Sequence, residues 1–186
     1  MRMEVHVHGY IALCEGVSRR QVETALRPLL DYFDVETMSE VKSLEENQPG
    51  VAYDQREFAL EICCTLEVGR NFFHALEEAM HGLGVLIEQA TAVEVSIYHA
   101  DGRDEMQLMF VGPTPDAISD AQRRRMAEDV GGMLRRQFDQ AAVDEVLKLV
   151  NDLFRRQRDS HIMPGDEEEV APTLNTPGQS GRRRLH

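Results

Sequence analysis

The chain opens on a strict alternation. In "MRMEVHVHGYIAL" the residues Met3, Val5, Val7, Gly9, Ile11 and Leu13 share one side, while Glu4, His6, His8, Tyr10 and Ala12 share the other. A period of two over that length predicts a half-buried strand. Ser18 and Gln21 have the spacing of a capping box, so a helix is expected to start there. Val22, Ala25, Leu26, Leu29, Leu30 and Phe33 give it an apolar stripe, which Pro28 should kink or interrupt. Residues 34–48 are acidic and weakly patterned, "QPG" marks a turn, and 51–54 suit a short strand.

Alternation then returns. Phe58, Leu60, Ile62, Cys64, Leu66 and Val68 face one way, and Ala59, Glu61, Cys63, Thr65 and Glu67 the other, as in a long strand with one wet face. A second helix is expected near Asn71, with Phe72, Leu76, Ala79, Met80 and Leu83 on its stripe and Gly82 and Gly84 helping to end it. Farther on, "IYHADGRDEMQLMF" packs His99, Asp101, Arg103, Asp104 and Glu105 between two apolar runs. Asp101-Gly102 is the dipeptide of a two-residue hairpin turn. Such a turn pairs Ile97 with Met106, Val95 with Leu108 and Val93 with Phe110, and sets His99 against Asp104 at the tip. That register accounts for the charged cluster without catalysis.

Two more helices are expected beyond the hairpin. Thr114 can cap the first, with Pro115 at its first turn and Ile118, Ala121, Met126, Val130, Met133 and Leu134 as its stripe. The second, from about Gln140 to Arg156, carries Val143, Val146, Leu147, Val150, Leu153 and Phe154. Both stripes must be buried against each other, the sheet, or another chain.

"YIALCEGVSRRQVETALRPLL" and "ICCTLEVGRNFFHALEEAMHGL" both run strand, Gly, Arg, helix. Two such units predict an α+β domain of ferredoxin-like β-α-β-β-α-β order. Its mainly antiparallel sheet would have an extra C-terminal hairpin strand and be followed by two amphipathic helices. The expected division is an acidic sheet domain over 1–112, a two-helix extension over 113–157, and a tail over 158–186. The extension would pack on the sheet or at a dimer interface. The tail, which includes "MPGDEEEVAPTLNTPGQSGRRRLH", is polar, rich in Pro and Gly and aperiodic, so disorder is expected there.

Charge narrows the class of partner. The net charge is −13. Residues 1–112 hold 8 basic and 20 acidic residues, 113–157 hold 8 of each, and 158–186 hold 4 and 5. An acidic body repels phosphates, which argues against nucleic acid as the partner. The basic "RRRL" near the end has the opposite sign from the acidic cluster before it and reads as a solvated end. The opening stretch lacks a signal-peptide cleavage site, and no run of about 18 apolar residues exists to span a membrane. Three cysteines, Cys14, Cys63 and Cys64, cannot all pair, so reduced thiols in a cytoplasm are expected.

Candidate chemistry gathers on the wet face of the sheet. His6, His8, Tyr10, Glu61, Cys63 and Tyr98, with Glu94, are expected to share it. Imidazole, thiolate and carboxylate side by side are what a transition metal or an acid–base site needs. The two-residue spacing of His6 and His8 puts their rings on one side, about 6–7 Å apart. The bland reading is a polar face partly covered by the last two helices. In "HALEEAMH", His74, Glu78 and His81 recur on one helical face, but no two His are four apart, so a solvated face is expected. Arg123, Arg124, Arg125, Arg135 and Arg136 form the main basic cluster, interleaved with acids, and suit docking to the acidic front half or to a protein partner.

No phosphate loop, dinucleotide fingerprint, nucleophile elbow or CxxC pair is present, and no motif asks for a cofactor. The expectation is a small cytoplasmic, non-catalytic binding or regulatory protein, working through protein–protein contacts with a protein partner and as a homodimer. Two other readings compete with it. One is an acidic mimic of nucleic acid that inhibits a basic nuclease or defence complex. The other is a metal-dependent enzyme built on His6 and His8.

Overall fold

The structure is a computed structural model and describes residues 3–99 and 101–161. The fold is α+β, with a five-stranded antiparallel sheet and several helices. The strands are β1 (Met3–Ala12), β2 (Gly50–Asp54), β3 (Ala59–Val68), β4 (Thr91–Tyr98) and β5 (Glu105–Val111). Helices α1 (Arg19–Ala25) and α2 (Arg27–Tyr32) join β1 to β2, and α3 (Phe72–Leu83) joins β3 to β4. Two long helices follow the sheet, α4 (Pro115–Leu134) and α5 (Gln140–His161). The strand order is β2-β3-β1-β4-β5.

The alternation of the first strand divides the molecule. Val5, Val7 and Ile11 of β1 are buried with Leu60, Ile62, Cys64 and Leu66 of β3 and Val93, Val95 and Ile97 of β4. Val22, Leu26, Leu29 and Leu30 of the first helical segment and Phe72, Leu76, Met80 and Leu83 of α3 complete this core. Burial of such residues supplies the main driving force of folding. Gly9 fits because Val93 crosses directly over it; a Cβ there would stand 2.9 Å from Val93 Cγ2.

Local signals set the helix limits. The Ser18 capping box is formed, with the Gln21 N–H bonded to Ser18 and the Gln21 side chain turned back to the Ser18 N–H. Pro28 divides the helical stretch in two and sits in the first turn of α2, where its missing N–H has no cost. α2 ends in a Schellman motif: Val35 N–H bonds Leu30 O at 3.1 Å and Asp34 N–H bonds Asp31 O at 3.2 Å. Asp34 therefore takes φ +54°, a region glycine adopts without steric cost. Asp34→Gly is expected to stabilise the fold by about 0.5 kcal/mol, the relief of that conformation exceeding the greater freedom of the unfolded chain. A urea melt reads this as a higher midpoint with unchanged slope.

The connection over 34–48, weakly patterned in sequence, is anchored by a short 3-10 turn at Met38–Glu40 that puts Met38 and Val41 into the core. Thr37 and Glu40 cap it reciprocally, and the Thr37 hydroxyl holds the Glu40 carboxyl below its ordinary range.

The hairpin β4–β5 departs from the expected register by one residue. Ile97 lies opposite Glu105, Val95 opposite Gln107 and Val93 opposite Met109. The turn closes from Gly102 N–H to His99 O at 2.9 Å, with Gly102 at φ +75°. It begins one position earlier than a two-residue Asp-Gly turn, so every pairing moves by one. His99 accordingly approaches Glu105, at 3.6 Å, rather than pairing with Asp104. Asp101 receives Arg103 Nε at 2.8 Å, and that guanidinium holds the Asp101 carboxyl below its ordinary range. Met106, Leu108 and Phe110 thereby move to the open face of the sheet, opposite Ser96, Glu94 and Ala92.

That face is partly covered by α4. Thr114 caps the helix through Ala117 N–H at 3.1 Å, and Pro115 occupies its first turn. Its buried residues are Ala121 and Gly131, whereas Met126 and Met133 of the expected stripe are 48% and 64% exposed. Those two methionines therefore do not seat the helix. α5 returns antiparallel on α4 and runs to His161, past its expected end at Arg156 and four residues into the stretch 158–186 read as a tail. No Gly or Pro stands between Arg156 and His161 to break it. The rest of the expected tail, 162–186, lies outside the described residues. No helix among the described residues is long and apolar enough to cross a membrane.

Candidate functional site

The open face of the sheet is built in rows across the strands. Glu4 stands between Glu67 of β3 and Tyr98 of β4. His6 stands between Thr65 and Ser96, His8 between Cys63 and Glu94, and Tyr10 opposite Glu61. The residues expected on this face thus do share it. His6 and His8 are stacked, with ring centroids 6.4 Å apart and planes 13° from parallel.

Among the described residues Thr65 is the one buried polar side chain, at 4% exposure, and its partners explain why. Its hydroxyl donates to Gln48 Oε1 at 3.1 Å, its N–H donates to Ser43 Oγ at 2.9 Å, and the Leu44 N–H donates to its carbonyl at 2.8 Å. Ser43 Oγ also donates to Gln48 Oε1 at 2.6 Å. With its single proton given to Gln48, Thr65 Oγ1 lies 3.1 Å from His6 Nδ1 and is open to accept a hydrogen bond from it. Ser43 and Gln48 have no periodic signature in the sequence. Only Thr65, in an alternating strand, had a position on this face that the pattern could give.

The second row ends on α4. Arg125 Nη2 donates to Glu94 Oε1 at 3.2 Å and Arg125 Nε to Asp129 Oδ2 at 3.1 Å. Asp129 first, and Glu94 after it, raise the Arg125 guanidinium above its ordinary value. Arg123 is held by Asn151 of α5 at 2.8 Å and lies 3.6 Å from Asp120. These two members of the basic cluster thus dock the hairpin internally. Arg124, Arg135 and Arg136 are exposed and form no ion pair among the described residues. His74 of the "HALEEAMH" face meets Glu78 at 3.6 Å with both side chains mostly exposed, as a solvated face would.

Among the described residues no group of three or more His, Cys, Asp or Glu could hold a metal ion. The two stacked imidazoles of His6 and His8 are thus not part of such a group. Cys14, Cys63 and Cys64 are free thiols. Burial, with Cys63 beside it, pushes the Cys64 thiol up to about 12, so it stays protonated and unreactive. Cys63 lies half-buried on the open face. Iodoacetamide at neutral pH is expected to alkylate Cys63 while leaving Cys64 unmodified until the chain unfolds. Mass spectrometry of tryptic peptides reads the two sites, and equal labelling in the native state would contradict the assignment of faces.

The largest feature beside this face is the α4–α5 hairpin. A groove of about 640 Å³ between its helices is lined by Asp120, Arg123, Leu147, Asn151 and Phe154. α5 carries two adjoining apolar rows. Val143, Leu147, Val150 and Phe154 recur at intervals of four, three and four, and all are buried or half-buried. Ala142, Val146, Leu149 and Leu153 repeat that spacing one residue earlier. Of these, Val146, Leu149 and Leu153 are 37%, 55% and 53% exposed.

No curated protein and no solved structure matches the chain. A family model does match, over residues 3–155, from the first strand through most of α5. The chain belongs to that family, a family of unknown function (DUF6806).

Proposed function

We propose that this is a small, non-catalytic binding or regulatory protein of the cytoplasm that acts through protein–protein contacts and works as a dimer. The observation that carries this reading is the second apolar row of α5. A helix that buries Val143 completely on one side leaves Leu149 and Leu153 more than half exposed on the next. The 4-3-4 spacing of that row suits the face of another helix. Apolar groups gathered in this way favour contact with a protein over contact with water. The three free cysteines support a reducing compartment. The order β2-β3-β1-β4, with helices in both crossovers, supports a ferredoxin-like reading of the first four strands, with β5 as the added hairpin strand.

The test is a photo-crosslinking residue at position 149 of the full chain in its native host. One discrete crosslinked protein is expected, lost when Leu153→Asp is added. Because Leu153 is exposed, that substitution should change stability by no more than about 0.5 kcal/mol. Capture no greater than from position 85, an exposed valine in the short turn after α3, would contradict the reading.

A further inference from the structure

The sheet has two edges, and they are guarded differently. β2 is five residues long, is preceded by Pro49 and ends on Asp54, and its Tyr53 hydroxyl is tied to Val17 O. Shortness, proline and charge are the usual means of keeping an edge from pairing. β5, at the other edge, is seven residues, "EMQLMFV". It has no proline, lysine or glycine, and its single charge is its first residue, Glu105. No strand among the described residues pairs on its outer side. Glu105, Met106 and Gln107 are exposed, Met106 to 62%, and Leu108, Met109 and Phe110 are half-buried.

We propose that the occupant of this edge is β5 of a second copy, paired antiparallel about a two-fold axis through Leu108, so that two sheets join into one. This deepens the protein-contact reading above and rests on it. A two-fold axis perpendicular to the sheet keeps each face on its own side, so only residues of the same parity can lie opposite each other. Full overlap of the strand then fixes the pairing. Leu108 meets Leu108 of the second copy, Met106 meets Phe110, Gln107 meets Met109, and Glu105 meets Val111. Three of the pairs on the open face are wholly apolar. The one charge falls opposite valine, far from its own copy, so the register carries no like-charge contact. The outward N–H and C=O groups of β5 gain partners in the same step.

The experiment is disulfide trapping of the full chain with copper phenanthroline in air. Leu108→Cys puts two thiols opposite each other at the axis. Met106→Cys puts them about 13 Å apart along the strands, beyond disulfide reach. The unsubstituted chain, with its three native cysteines, is the blank. Trapping of a covalent dimer about tenfold or more faster at 108 than at 106 is expected. Met106→Lys, a natural edge guard, is expected to shift sedimentation from dimer to monomer with the circular dichroism spectrum unchanged. Equal trapping at both positions, or a ladder of higher multimers, overturns the pairing. A dimer that persists in Met106→Lys and is not trapped at 108 also overturns it, while leaving the protein-contact reading intact. A monomer in which position 149 also crosslinks nothing removes both.

Discussion

Phe72→Ala is expected to cost about 3–5 kcal/mol. Phe72 is fully buried at the start of α3. Its ring lies 5.7 Å from Tyr32, 6.1 Å from Phe33 and 5.5 Å from Phe73, so it joins the end of α2 to the start of α3. The Tyr32 hydroxyl beside it accepts the Gly69 N–H at 2.6 Å, which fixes the chain entering α3. Truncation removes the apolar area and leaves a cavity that rings held from three sides cannot easily close. Domains of this size have only about 5–15 kcal/mol in hand, so much of the stability would go. Urea unfolding measures it, and a loss under about 1 kcal/mol would mean the aromatic cluster is not packed as described. Phe72→Leu, which refills part of the space, is expected to recover a good part of the loss.

Gly50→Ala is expected to cost about 2–4 kcal/mol, although it adds one methyl group. Gly50 begins β2 at φ +77°, where an L-residue is strained. A Cβ there would also stand 2.5 Å from the Val41 carbonyl oxygen, which is backbone and cannot rotate away. Relief would have to move Val41 out of the core or separate Gly50 from Cys63, its partner on β3. Gly102→Ala, at φ +75° but in open space, isolates the conformational part and is expected to cost about 1 kcal/mol. Equal losses at the two positions would show that the Val41 contact contributes nothing.

How much of this was legible in the sequence depended on whether a residue has one reason or two for its place. β1 and β3 have one face in the core and one open, so their alternation gave both the strands and the shared face of His6, His8, Tyr10, Glu61 and Cys63. Ser18, Pro28, Thr114 and Pro115 act within their own turns, and each marked its boundary. β5 is different. Met109 and Val111 face one way and Met106, Leu108 and Phe110 the other, so both of its faces are apolar. A strand of that kind does not fix its register by hydrophobicity, and the expected pairing was off by one residue. The methionines of α4 failed for a related reason, because the helix buries the small residue Ala121 and reaches the sheet through Arg125 to Glu94. The network of Ser43, Gln48 and Thr65 is held by contacts across 17 and 22 residues, which no local pattern records.

Whether the chain works in contact with another protein is best decided by native mass spectrometry of the full chain, purified from its own host without denaturant. An assembly heavier than one chain is expected, containing a second copy, which Met106→Lys should release, or another protein, which Leu149→Asp together with Leu153→Asp should release. A single chain carrying a stoichiometric metal ion or small molecule would contradict the protein-contact reading and return the open-face histidines to the centre of the problem.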